Sequence, residues 1–535
     1  MHNSLALLSL APAVALAASD YAPSLVACPD ETLVRSADGI SGSEASYIAA
    51  RKANADEALA EWLATALPDV DTSSLPTLAL SSSGGGFRAL LVGAGVVQAF
   101  DKRDTTASTG GLYQSLTYHA ALSGGAWLLS AIATANWPTI SQLESTVWET
   151  QLSGGILDSS NATTVADFEQ IALDIVAKGE AGFPVSLVDL WGRELAYQVM
   201  EGGSGTPAFT LSEITTLSNF TTYQVPFPIM TTTKINHLNG ECVPTQDEAI
   251  FEFNPFEFGS WSDDVSAFVL TNYLGSNLTA GQASECVTGF DRIDWAMGVS
   301  SDVLEEFICD TALDVNVLAD FPTTIVGVVE EFTSTEDYGY GIVPNPFRGF
   351  ASTTNSTASS VADLDTLYMV DGGVPNHNDP ILPLLEPSRN ISVIFVNDNS
   401  ADTTEDKPDG AAVYAAWAAT QTGRLAGRFP AVPAVGNFST KEAQFFGCDD
   451  AEAVTVIYLP NADWSFESNT TTLQLEYDTT ETAAMISDGV LVGAQGGDDS
   501  WATCLACGIM VKEVGSASLP SDCAACLDKY CWYAS

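Results

Sequence analysis

Basic residues are scarce. The 535-residue chain carries 18 lysines and arginines against 68 aspartates and glutamates, a formal net charge of −50. That balance excludes nucleic acid as a partner, because phosphate binding needs clustered cations and draws its affinity from counterion release. An anionic bilayer would repel such a chain as well. Histidine is scarcer still: His2, His119, His237 and His377 are the four, so imidazole chemistry has few places to reside. No apolar run reaches the roughly 20 residues of a membrane-spanning helix; residues 5–17 are interrupted by Pro12, and Ala89 to Phe100 is also too short. What is present excludes an acidic disordered tail: 46% of residues are hydrophobic, with 11 Trp and 24 Phe, enough for a large core. The acidic residues are scattered singly, the pattern of a solvated surface.

The leader LALLSLAPAVALA closes on Ala15-Leu16-Ala17, a small-x-small cleavage pattern, so residues 1–17 read as a secretory signal peptide and 18–535 as the mature chain. Seven Asn-x-Ser/Thr sequons, at Asn161, Asn219, Asn277, Asn355, Asn390, Asn437 and Asn469, point the same way. The terminal CLDKYCWYAS lacks the apolar tail of a glycolipid-anchor signal. The expectation is a secreted, glycosylated, unanchored protein. Five cysteines lie in the body (Cys28, Cys242, Cys286, Cys309, Cys448) and five in the tail (Cys504, Cys507, Cys523, Cys526, Cys531). The tail spacing C-x2-C-x15-C-x2-C would suit a zinc ribbon in a cytosolic chain; in an exported one it reads as disulfides. Five against five requires at least one bond from tail to body, so the tail at 500–535 is expected to be stapled to the core.

Three apolar strands run into glycine turns: Leu75 to Ser82 before Gly84-Gly85-Gly86, Ser115 to Leu122 before Gly124-Gly125, and Leu367 to Val370 before Asp371-Gly372-Gly373. The first two continue into helix-compatible runs, which predicts an α/β fold with its site at the carboxyl ends of strands. The stretch of about 140–360 reads as inserted material covering that face. In ALSGG, Ser123 sits between strand and helix among small neighbours, as a nucleophile elbow requires, although Ala121 stands where a glycine is usual. SGGGFR, Ser83 to Arg88, brings glycine amides to a helix start, where they suit a developing oxyanion. Arg88 could reach an anionic head group. For the base, two arrangements are open: Ser-Asp-His order with His377, or Asp371 itself, partly desolvated at a strand end.

SGGGFR, LSGGAW and MVDGGVPNHNDPILPL, in this order, resemble the fungal secreted lysophospholipases, the phospholipase B family, whose catalytic domain is similar to cytosolic phospholipase A2 and to patatin. The likeness continues through FPVSLVDLWGRELAYQ, AIFEFNPFEFGSW, Ala296 to Ser301, IFVNDNSADT, VIYLPNADWSFESNTTT and the cysteine-rich tail, nearly the whole mature chain. It implies an α/β three-layer sandwich in a single catalytic domain with a large lid region. It also implies a Ser123–Asp371 dyad without His377, oxyanion donors at Gly85 and Gly86, Arg88 near the substrate phosphate, and no metal or cofactor. The implied substrates are lysophospholipids, with diacylphospholipids as a second class, in micelles or at a membrane surface, cleaved through an acyl-enzyme. A non-catalytic lipid binder and a Ser-His-Asp esterase are the competing readings.

Overall fold

The computed structural model describes residues 20–155, 162–201, 209–236, 243–304, 323–334, 337–353 and 360–534. The leader, His237, Cys242, Cys309, Asn161 and Asn355 lie outside them. Thirteen strands form one mixed sheet. They are β1 (Val34–Ser36), β2 (Leu78–Ser82), β3 (Leu116–Ala121), β4 (Phe227–Ile235), β5 (Ile250–Phe253), β6 (Glu257–Ser260), β7 (Ala267–Leu270), β8 (Gly341–Pro344), β9 (Thr366–Val370), β10 (Val393–Asp398), β11 (Gln444–Phe446), β12 (Thr455–Pro460) and β13 (Cys531–Trp532). Their order is β13-β11-β12-β10-β2-β3-β4-β5-β6-β7-β1, with β9 between β4 and β8. The stretch read as inserted cover thus also builds the sheet, through β4 to β8.

The centre, β12-β10-β2-β3-β4, is parallel. Every residue of these five strands is buried. Parallel strands covered on both faces read as unbroken apolar runs, as LTYHAA and VIFVND nearly do. Helix α1 (Gly42–Ala66) meets β3 through Tyr118, whose hydroxyl donates to Glu44 at 3.0 Å, and through Arg51, which donates to the Leu116 carbonyl at 2.9 Å. Helix α2 (Gly86–Phe100) packs against α3 (Gly124–Thr134) and, much later in the chain, α6 (Thr479–Gly493), while α4 (Leu187–Val199) crosses α5 (Ile293–Ser300). That crossing is close because both helices carry glycine there; a Cβ on Gly298 would lie 2.9 Å from the Gly192 Cα. The result is an α/β three-layer sandwich. No helix among the described residues is long and apolar enough to cross a membrane.

The tail folds back as α7 (Trp501–Val514), α8 (Cys523–Tyr530) and β13, which adds to the sheet beside β11. Cys504–Cys526 and Cys507–Cys523 join the two helices, Cys448–Cys531 ties tail to body, and Cys28–Cys286 anchors the amino-terminal segment. The expected staple is therefore present. Cys448–Cys531 closes a loop with a sequence separation of 83. Replacing both cysteines by serine is expected to lower the unfolding free energy by about 2–4 kcal/mol in denaturant titration.

Candidate active site

The glycine turns after β2 and β3 lie side by side because their strands are parallel neighbours with Ser82 opposite Ala121. At the second turn Ser123 is held at φ 51 and ψ −124, a conformation that costs a non-glycine residue about 1–3 kcal/mol. Two bonds hold it there. Its amide donates to the carbonyl of Ser300 at 3.2 Å and to the Ser300 hydroxyl oxygen at 3.1 Å. Ala121 is wholly buried and the elbow forms with alanine in that place. The helix starts interlock: a Cβ on Gly124 would stand 2.0 Å from the Gly86 carbonyl oxygen.

Asp371 follows β9, which runs antiparallel along the same edge of β4 as β3 and meets β3 end to end, β5 taking the opposite edge. Ala121 pairs with Met230 and Val370 with Thr233, so Ser123 and Asp371 both reach the level of Thr232. Thr232 pins this register by donating from Oγ1 to the Val370 carbonyl at 2.7 Å. The Asp371 amide donates to the Asp302 carbonyl at 2.9 Å, two residues beyond the segment that holds Ser123. Asp371 Oδ1 accepts from the Gly373 amide at 2.7 Å. Both side chains are almost fully buried, at 5% and 4% exposure, yet both line one cavity of about 360 Å³ shared with Gly85, Arg88, Asn378, Asp402 and Thr472. Gly86 stands directly behind Gly85 at the start of α2. Neither glycine amide donates to a backbone carbonyl in the contacts among the described residues, and Gly85 is the one of the two that lines the cavity.

Arg88 is on the cavity wall, but its side chain is buried and turned to the protein. Nε and Nη2 donate to the Asn399 carbonyl at 3.0 and 2.9 Å, Nη2 to Thr472 Oγ1 at 3.2 Å, and Nη1 to the Thr470 carbonyl. It ties the Asn399 and Thr472 loops over the glycine turn and brings positive charge to the wall. Burial, then the charge of Asp398, pushes the Asp402 carboxyl up to about 7. Asn378, Ser300, Asn399 and Asp402 lie inside strings quoted for the family likeness and Asp302 just after one, yet no string assigns them a place at the cavity, which long-range contacts such as Asn378 to Gly84 give.

The two histidines among the described residues, His119 and His377, are engaged elsewhere. His119 is fully buried, bonds Ser82 Oγ through Nε2 at 2.9 Å, and is held neutral by burial, its pKa pushed down to about 3. His377 donates from Nε2 to the Gln246 carbonyl at 3.0 Å and lines a separate cavity with Trp261; burial lowers its pKa too. Among the described sequons, Asn277, Asn390 and Asn437 are exposed and Asn219 and Asn469 half-buried.

The α/β three-layer sandwich, with Ser123 on a strained strand-to-helix turn, has the fold of the cytosolic phospholipase A2 catalytic domain. Human GIVD cytosolic phospholipase A2 superposes with a TM-score of 0.68 at 18% identity, covering 90% of this chain and 66% of that one. A model of the lysophospholipase catalytic domain matches residues 78–535. The lysophospholipase of Torulaspora delbrueckii is 34% identical over 561 residues, covering 96% of this chain and 85% of that protein. Lysophospholipase 1 of Saccharomyces cerevisiae is 34% identical over 570 residues, covering 96% and 84%. The chain belongs to the lysophospholipase catalytic-domain family, a family of carboxylic ester hydrolases.

Gly124→Ala drives a Cβ into the neighbouring glycine turn and is expected to cut ester hydrolysis by on the order of 100-fold, read as initial rates on folded protein. His119, neutral when folded and ionising near 6.5 when unfolded, gives the unfolded chain an extra proton in acid. Stability therefore falls as pH drops from about 6.5 to 3, and His119→Gln should flatten that part of a Tm-against-pH curve.

Proposed function

We propose that the protein is a secreted lysophospholipase that cleaves fatty-acyl esters through Ser123 and Asp371. The carrying observation is that the amides of these two residues hang from Ser300 and Asp302 while their side chains line one cavity. As Ser123 Oγ attacks the acyl carbonyl, its proton passes to the Asp371 carboxylate. The oxyanion of the tetrahedral intermediate takes hydrogen bonds from the Gly85 and Gly86 amides, each worth about 3–4 kcal/mol in such sites. Collapse breaks the ester bond, and the departing glycerol oxygen takes the proton from Asp371. Water, deprotonated by the same carboxylate, then releases the fatty acid and restores Ser123. Arg88 supplies the positive wall that a substrate phosphate would meet. Lysophospholipids are the first substrates and diacylphospholipids the second.

Export is supported by the leader, the exposed sequons Asn277, Asn390 and Asn437, and four disulfides among the described residues. The Ser-His-Asp alternative is disfavoured by the Nε2 bond of His377 to the Gln246 carbonyl.

Fatty-acid release from lysophosphatidylcholine tests the dyad. Ser123→Ala and Asp371→Asn are each expected to fall by roughly 10⁴-fold, with His377→Ala largely active. Equal loss in all three would establish the triad instead, and an inactive wild type would favour the lipid binder.

A further inference from the structure

The peptide that ends with the Gly84 carbonyl begins, across the same planar bond, with the Gly85 amide. Its orientation therefore decides whether the Gly85 N–H points into the cavity. With Gly85 at φ +134 and glycines on both sides, nothing in the local sequence prevents that plane from turning over.

One side chain grips it. The Gly84 amide donates to the backbone carbonyl of Asn378 at 3.0 Å, and the Asn378 Nδ2 donates to the Gly84 carbonyl at 3.2 Å. Gly84 is thus held at both ends by one residue. Asn378 also sits against the turn that carries Asp371: its Oδ1 lies 2.2 Å from where a Cβ on Gly84 would stand and 2.7 Å from one on Gly373. The same side chain therefore packs against both glycine turns of the site.

Which way the Asn378 amide faces is decided by a buried chain behind it. Asp398, fully buried, accepts from the Ser400 amide at 3.0 Å, the Ser400 hydroxyl at 2.6 Å and the Tyr458 hydroxyl at 3.0 Å. The Ser400 proton is committed to Asp398, so its oxygen accepts from Asn378 Nδ2, at 2.7 Å. That leaves Nδ2 as the atom facing Gly84, and a donor on the Gly84 carbonyl also polarises the Gly85 N–H in the same peptide.

We infer that Asn378 is a positioning residue for the oxyanion donor: through Gly84 it holds the Gly85 amide toward the cavity, under the control of Ser400 and Asp398. This rests on the ester-hydrolase reading above. A group acting this way stabilises the charged intermediate without touching ground-state substrate, so its loss falls on kcat and spares KM.

Asn378→Asp preserves shape but replaces the donor with an acceptor facing the Gly84 carbonyl; Asn378→Ala removes both. In folded Asn378→Asp protein, checked by thermal unfolding, kcat on lysophosphatidylcholine is expected to fall by roughly 10- to 100-fold with KM nearly unchanged. Affinity for an alkyl trifluoromethyl ketone, whose serine adduct carries an oxyanion, should fall by a similar factor. Binding of the ether analogue of lysophosphatidylcholine, which has no carbonyl, should stay as in wild type. Unchanged kcat in either folded variant overturns the inference, as does equal weakening of ketone and ether binding. A wild type that neither turns over the ester nor binds the ketone overturns the underlying hydrolase reading as well.

Discussion

Two carbonyls two residues apart, those of Ser300 and Asp302, hold the amides of Ser123 and Asp371. Neither residue has a local reason to stand where it does. Ser123 sits in a backbone conformation that a serine would leave if released, and Asp371 ends a strand antiparallel to β4. What makes the segment a firm support is the helix before it. α5 is seated by the glycine crossing with α4 and by Arg193, which bonds Asp294 on α5 and Asp174 beside it, each at 2.9 Å. A buried pair of this kind does little for net stability against an apolar replacement, but losing one partner strands the other charge. It fixes geometry more than it adds free energy.

The charge imbalance acquires a structural meaning from the same contacts. Of the 18 lysines and arginines, seven are buried: Arg51, Arg88, Lys178, Arg193, Lys234, Arg292 and Arg389. They cap carbonyls, as Arg51 and Arg88 do, or join carboxylates on distant elements, as Arg389 joins Glu44 to Glu252. With so many cations drawn inside, the surface is left strongly acidic. Arg88 is the one of these on the cavity wall, where it shares the lining with Asp371 and Asp402.

Much of the site was legible in the chain because its parts are local. A glycine triplet after a buried strand, a serine among small residues, and an aspartate before two glycines each declare themselves within a few positions. The histidines were legible only in part. His377 follows Asp371 closely enough to suggest a triad, and only its bond to Gln246 shows where its nitrogen is committed. Arg88 likewise reads as a reaching cation, whereas its donors turn to Asn399, Thr470 and Thr472. Asn378 and Ser300 stand inside quoted strings, and Asp302 just after one, but nothing in those strings tells which distant backbone groups they bind.

The sequence by itself determined the alternation of strand, glycine turn and helix, the paired cysteines of the tail and the acidic surface, because these follow from short-range pattern and composition. The tertiary structure alone decided that Ser123 and Asp371 both stand at the level of Thr232 on one cavity, that His119 and His377 are occupied elsewhere, and that Asn378 grips the Gly84 turn. The physical reason is that the register of β3 and β9 along one edge of β4 and the seating of α5 are set by packing and hydrogen bonds among segments far apart in the chain, which no local pattern encodes.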